Sequence, residues 1–171
     1  MRPLRVDVQP YETSFVRPFE TAAGTLTHRH GLIVRVMDFE GRLGYGEVAP
    51  LPGFSDETLV EAACEFEGLE GLPWPRGFGR LDSLEAISTA CSALLRSPSA
   101  RHGLELALCD LLAQEKQIPL AKLFNPGASL QGETARVARQ SDDALAAVRD
   151  GVRTLKLKVG MGTLADDVAR I

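Results

Sequence analysis

Two lysines alternate with apolar residues in TLKLKVG, Thr154 to Gly160, where Lys156 and Lys158 stand between Leu155, Leu157 and Val159. Residues i and i+2 of a strand share a face, so the two ammonium groups project together, their Cα atoms about 6.6 Å apart, while the apolar side chains project oppositely. A lysine works as a base near neutral pH only if much of it is unprotonated, and partial burial and a nearby like charge both act in that direction. The spacing supplies the like charge, which suits one lysine that transfers a proton and one that tunes it. The same pattern also suits an exposed strand whose lysines sit in water and discourage edge pairing.

Other side chains that could do chemistry carry simpler readings. His28 and His30 form an HxH in a segment read as a loop, with no Cys, Asp or Glu at ligand spacing in the chain beside them, which favours solvated histidines over a metal site. His102 falls near the start of a helix and is expected at the surface. Asp166 and Asp167 fit the first turn of a helix, where carboxylates complement the dipole. Cys64, Cys91 and Cys109 are odd in number, far apart and set among Ala and Leu at helical spacing, so they are expected as reduced core residues. GMG at 160–162 is too short for a phosphate cradle and reads as a turn.

The elements that must position these residues change character along the chain. LRVDV and GLIVRVMDFEGRLGYGEV read as three antiparallel strands, the last two joined by a turn at Asp38 to Gly41. Between the first two, RPFETAAGTLTHRHG (17–31) lacks a period and reads as a mobile surface loop; a second loop, APLPGFS, follows the third strand. Helical spacing then takes over. Ser55 reads as an N-cap ahead of Leu59, Ala62, Ala63 and Phe66, and Ser83 as the cap of a helix burying Ile87, Ala90 and Cys91. A third helix, from about Ser99 to Gln114, buries Leu104, Ala107, Leu108, Leu111 and Leu112. Strands and helices in separate blocks make an α+β arrangement over 1–125. From residue 126 the order is strand (TARVAR), helix (DDALAAVRD, capped by Ser141), strand (TLKLKVG) and helix (TLADDVARI), the rhythm of a parallel sheet with crossover helices. In a (β/α)8 barrel the apolar strand face would pack on the helix ring and leave Lys156 and Lys158 inside, near the C-terminal mouth marked by Gly160.

The 171 residues are 44% hydrophobic and 25% charged, the make-up of an ordinary globular protein. The formal net charge is −4 and no Lys/Arg run appears, which argues against nucleic acid as a partner. No stretch approaches the ~18 apolar residues of a membrane span, and MRPLRVDVQP lacks the apolar core of a signal peptide, so a cytoplasmic location is expected.

The βββααα order, GYGEVAPLPGFS after the third strand, ARHGLELALCDLLAQEKQIPLAKLF as the third helix, and KLKVG on the second barrel strand together resemble the enolase superfamily. The resemblance is greatest to the o-succinylbenzoate synthase family of menaquinone biosynthesis, in the muconate-lactonizing-enzyme-like subgroup. It implies a capping domain fused to a modified (β/α)8 barrel, here only begun, and Mg2+ holding a substrate carboxylate while a lysine removes the adjacent proton. It implies Lys158 as acid/base and Lys156 as its electrostatic neighbour. In the synthases the reaction is a syn elimination of water from a cyclohexadiene carboxylate. Cap loops around Thr21 to His30 and Ala49 to Ser55 would close over substrate, with Thr25, Arg29 and Phe54 facing it. Glu47 and Asp110 are expected to make structural hydrogen bonds at the domain interface. The family's metal ligands lie on later barrel strands, so no metal ligand is assigned in this chain and the chain alone is expected to be inactive. Two other readings remain: an N-succinylamino-acid racemase or dipeptide epimerase of the same superfamily, and a non-catalytic module that self-associates through an open barrel edge.

Overall fold

The computed structural model describes residues 3–21, 24–69, 80–129, 131–138, 141–157, 159–160 and 162–170. The chain divides into two compact units, Met1–Gly127 and Ala128–Ile171.

In the first unit, β1 (Pro3–Thr21), β2 (Gly24–Asp38) and β3 (Leu43–Val48) form an antiparallel sheet in the order β1-β2-β3. Alternation sends Val6, Leu32, Val34, Val36 and Val48 to one buried face, with Val6 opposite Val36 and Leu32 opposite Val48. The expected loop over 17–31 is instead mostly ladder, running from Ser14 opposite His28 to Thr21 opposite Gly24; Ala22 and Ala23 lie outside the described residues. That stretch of hairpin is largely exposed, so neither face is selected for apolar side chains and no alternation marks it in the sequence. Between Ser14 and Phe19 the register shifts, with a surplus on β1, and the Phe15 and Phe19 rings stack across it with centroids 5.7 Å apart.

The β2–β3 turn is held by Asp38, which is 2% exposed. Its Oδ1 accepts the backbone N–H groups of Glu40 and Arg42, each at 2.9 Å, and its Oδ2 accepts Arg42 Nε at 2.7 Å. Desolvation pushes the Asp38 carboxyl upward, but the Arg42 side chain and the two backbone donors outweigh it and hold the group below its ordinary value. Its stabilising contribution is therefore present above the unfolded-state pKa of about 4 and lost as pH falls through the lower folded value. Asp38→Ala is expected to cost about 2–3 kcal/mol at pH 7 by removing several charge-assisted bonds. Urea titrations at pH 7 and pH 3 check this: the gap between variant and parent narrows at the lower pH.

Helix α1 (Leu59–Cys64) starts later than expected, because Thr58 is the cap and not Ser55. Thr58 and Glu61 complete a capping box, in which the Thr58 N–H donates to Glu61 Oε2 at 2.8 Å and the Glu61 N–H to Thr58 Oγ1 at 3.2 Å. Ser55 Oγ instead accepts the Leu51 N–H at 2.9 Å, closing the preceding turn. Ala62 and Phe66 face the core, whereas Cys64 is exposed, contrary to expectation, since it falls on the outer side of this short helix. Cys91 and Cys109 are buried, and burial pushes the Cys91 thiol up and that of Cys109 to about 11, far from thiolate chemistry.

Helix α2 (Leu84–Leu94) is capped by Ser83 as expected. Helix α3 (Pro98–Lys116) is capped by Ser97 and buries Leu104, Ala107, Leu108, Leu111 and Leu112. A short α4 (Leu120–Phe124), not anticipated, follows. α3 lies directly on β3, and glycines make that approach possible. A Cβ on Gly44 would overlap the Ala107 carbonyl oxygen, one on Gly46 the Gly103 carbonyl oxygen, and one on Gly103 the Val48 side chain. Hydrogen bonds fasten the same seam: Asp110 Oδ2 accepts the Tyr45 N–H at 3.0 Å, and Gln114 Nε2 donates to the Leu43 carbonyl at 2.8 Å. Asp110 thus makes the structural bond expected of it, but inside the first unit.

In the second unit, β4 (Ala135–Ala138) and β5 (Thr154–Leu157) pair in parallel, with α5 (Ser141–Arg149) between them and α6 (Leu164–Arg170) after. Ala138 and Ala147 are buried, while Val137, Leu145, Leu157 and Val159 stay exposed. Asp166 and Asp167 lie in the first turn of α6, as expected. Asp166 Oδ2 accepts the Thr163 N–H at 3.0 Å, and Asp167 Oδ2 accepts the Gly160 N–H at 2.6 Å. Among the described residues no helix is long and apolar enough to cross a membrane.

Candidate active site

A cavity of about 670 Å3 opens between the outer part of the β1–β2 hairpin and the segment that joins β3 to α1. Thr25, His28 and Arg29 contribute from β2, and Pro52, Ser55 and Glu57 from the joining segment. A second cavity of about 490 Å3 adjoins it, bounded by Phe54 and by Ser99 and His102 of α3. Arg29 and Ser55 to Glu57 line both, and so form the partition. The structure therefore gathers all three residues expected to face substrate: Thr25 at the first cavity, Phe54 at the second, Arg29 at both.

Arg29 is half-buried and both its terminal nitrogens donate to backbone carbonyls. Nη1 donates to the Pro50 carbonyl at 3.0 Å and Nη2 to that of Ala49. Alongside it, the Tyr11 hydroxyl donates to Glu47 Oε1, a bond that ties β1 to β3 across β2. Burial, and then the Glu47 carboxylate, push the Tyr11 phenol up to about 12, so it stays a donor. The Tyr11 ring covers Gly31, its cross-strand partner, where a Cβ would strike the ring. Glu47 thus makes the structural hydrogen bond expected of it, again within the first unit. Sequence reasoning missed both Tyr11 and its link to Glu47, because the contact depends on the register of three strands.

Glu57 was missed as well. Its carboxylate accepts the Ser99 N–H at 2.8 Å and the Ser99 hydroxyl, which hold it below the ordinary carboxylate range. It anchors the floor of the cavities to the first turn of α3. His28 and His30 lie on β2 and not in a loop, and Glu12 of β1 faces both, 3.8 Å from His28 Nε2 and 3.5 Å from His30 Nδ1. Strand pairing brings that carboxylate near, although nothing in the neighbouring sequence does. Among the described residues no three His, Cys, Asp or Glu side chains converge closely enough to hold a metal ion.

Lys156 belongs to the second unit, exposed on β5 and opposite Val137 of β4. Lys158 lies outside the described residues. Leu155, immediately before Lys156 in sequence, is half-buried on the other side of the strand.

The family described as MenC, N-terminal domain, matches residues 21–111. The L-Ala-D/L-Glu epimerase of Bacillus subtilis is 29% identical over 182 residues, covering 100% of this chain and 48% of the epimerase. A substrate-liganded structure of that epimerase superposes with a TM-score of 0.80 at 26% identity, over 99% of this chain and 48% of the other. The o-succinylbenzoate synthase of Pectobacterium atrosepticum is 37% identical over 139 residues, 74% of this chain and 38% of the synthase. The structure of the synthase from Thermosynechococcus elongatus, with Mg in its active site, has a TM-score of 0.61 at 27% identity over 97% of this chain and 46% of that one. The chain spans about half the length of the curated relatives it matches. Its first unit has the capping-domain architecture and its second the first two βα units of an incomplete barrel. With the family model matched over more than half of the chain and the fold shared with the epimerase, the chain belongs to the MenC N-terminal-domain family of the enolase superfamily.

Proposed function

We propose that this chain supplies the cap, residues 1–125, and the first two barrel strands, within 126–171, of an o-succinylbenzoate synthase. In this reading Lys158 removes the proton α to the substrate carboxylate and then, as an acid, assists departure of hydroxide, so that water leaves on one face. Lys156, two residues earlier in the sequence, keeps a positive charge beside it and favours its neutral form. The cap encloses the small carboxylate substrate through the cavities lined by Thr25, Arg29 and Phe54, excluding water from the reacting face. Mg2+ is the cofactor implied by the relatives, and it would stabilise the charge that develops on the carboxylate. The described residues do not form a binding set for it, so no step is assigned to a metal on this chain.

The observation that carries this reading is the match to the MenC N-terminal domain on the part of the chain that builds the cap. A second reading is epimerisation of a dipeptide or racemisation of an N-succinylamino acid, and it has its own support. The Herpetosiphon aurantiacus and Bacillus subtilis epimerases align over 97% and 100% of the chain, against 74% for the Pectobacterium synthase. Both reactions begin with the same proton abstraction. The protein carrying the whole barrel, assayed with the cyclohexadiene carboxylate and with an L-Ala-L-Glu dipeptide in deuterated water, separates them. Dehydration is expected; deuterium incorporation with inversion and no dehydration would replace the first reading by the second.

A further inference from the structure

Arg29 lines both cavities, yet its guanidinium is already engaged by the protein's own backbone. It stands at the partition between the two cavities, half-buried, with both terminal nitrogens bonded to the backbone carbonyls of Ala49 and Pro50. Those carbonyls belong to the first residues after β3, where the chain leaves the sheet and begins the wall of the cavity. Beyond them the segment has its own small frame: Leu51 N–H to Ser55 Oγ, and Phe54 and Ser55 N–H to the Leu51 carbonyl at 3.0 and 2.9 Å. Its far end is fixed separately, by the Thr58–Glu61 capping box and by Glu57 on Ser99. At its near end, the planar fork of Arg29 is what ties this turn to the hairpin.

We propose that Arg29 is a positioning residue that clasps the Ala49–Ser55 turn to β2, so that the two walls of the cavity move as one lid and not as two flaps. A guanidinium engaged by two carbonyls is an anchor with fixed direction, whereas the Lys ammonium is a point charge on a flexible stem without that planar fork. The clasp stands on the contacts alone, whereas its bearing on catalysis rests on the reading that the cavity receives substrate.

Amide hydrogen exchange on the 171-residue chain tests the clasp without any substrate. In Arg29→Met the Leu51, Phe54 and Ser55 amides are expected to exchange about tenfold faster, while Thr58, held by its own capping box, changes little. Arg29→Gln, which keeps one donor nitrogen in place of two, should fall between. If Arg29→Met does not fold, Arg29→Gln decides alone. Exchange at Leu51, Phe54 and Ser55 equal to the parent in a folded variant would overturn the proposal, as would a uniform rise that includes Thr58. In the complete enzyme the clasp predicts a KM raised several-fold in Arg29→Met and partly restored in Arg29→Lys, with kcat changed less. Failure of that kinetic result with the exchange result intact would count against the substrate cavity and leave the clasp standing.

Discussion

Lys158→Ala in the complete enzyme is expected to suppress exchange of the substrate's α-proton by about a thousandfold or more, the scale lost when a general base is removed from a positioned site. Lys156→Ala should behave differently. It removes a positive neighbour that favours the neutral form of Lys158, so activity persists at a reduced level and its pH optimum moves upward. Two measurements check the pair: exchange of the α-proton with deuterated solvent, and the pH dependence of kcat/KM. Equal and mild effects from both changes would return the lysines to the role of solvated charges on an exposed strand. The prediction uses their spacing of two in the sequence; Lys156 lies on β5, on the face opposite half-buried Leu155.

The largest structural effect is expected at Gly46. A methyl group there would overlap the carbonyl oxygen of Gly103 and come within 2.9 Å of the Ala107 nitrogen, and backbone atoms of a buried helix cannot swing aside as a side chain can. Either α3 retreats from β3, uncovering Leu104, Leu108 and Leu111, or the strand buckles and loses its bond to Asp110. Both routes cost more than ordinary overpacking, and Gly46→Ala is expected to destabilise by about 4 kcal/mol. A stability of 5–15 kcal/mol is usual for a domain, so thermal melting should drop by roughly 10 °C or more. Gly68→Ala is the control, since a Cβ there meets nothing within 4 Å. Similar melting temperatures for the two variants would mean that the helix and strand do not approach as closely in solution.

Which parts of this were legible depended on where the core lies. Ile87, Ala90 and Cys91, and the leucines of α3, repeat at helical spacing because one side of each helix is buried, and the sequence read them correctly. The outer hairpin was misread as a loop because its side chains meet water on both faces, leaving only backbone pairing, which no side-chain pattern records. Ser55 was read as the cap because it precedes an apolar run; Thr58 followed three residues later by Glu61 is the capping-box signal that marks the true start, and it stands in the sequence. At the candidate site, Thr25, Arg29 and Phe54 were identified as neighbours of a cavity. That Arg29 spends its donors on backbone carbonyls depends on where the chain turns after β3, which no local pattern encodes. GYGE was recognised as a mark of the family, but the reason for its glycines became visible only with α3 lying on them.

The β3–α3 seam also bears on how sequences of this kind can drift. Gly44 and Gly46 on one side, and Gly103 on the other, line one continuous contact between strand and helix, although they lie far apart along the chain. Neither stretch can gain bulk independently, and a Gly103→Ala exchange would need Val48 to shrink at the same time. Among homologues the residues at 44–48 and 103–107 should therefore change together or stay fixed, a covariation set by contact and independent of which substrate the barrel turns over.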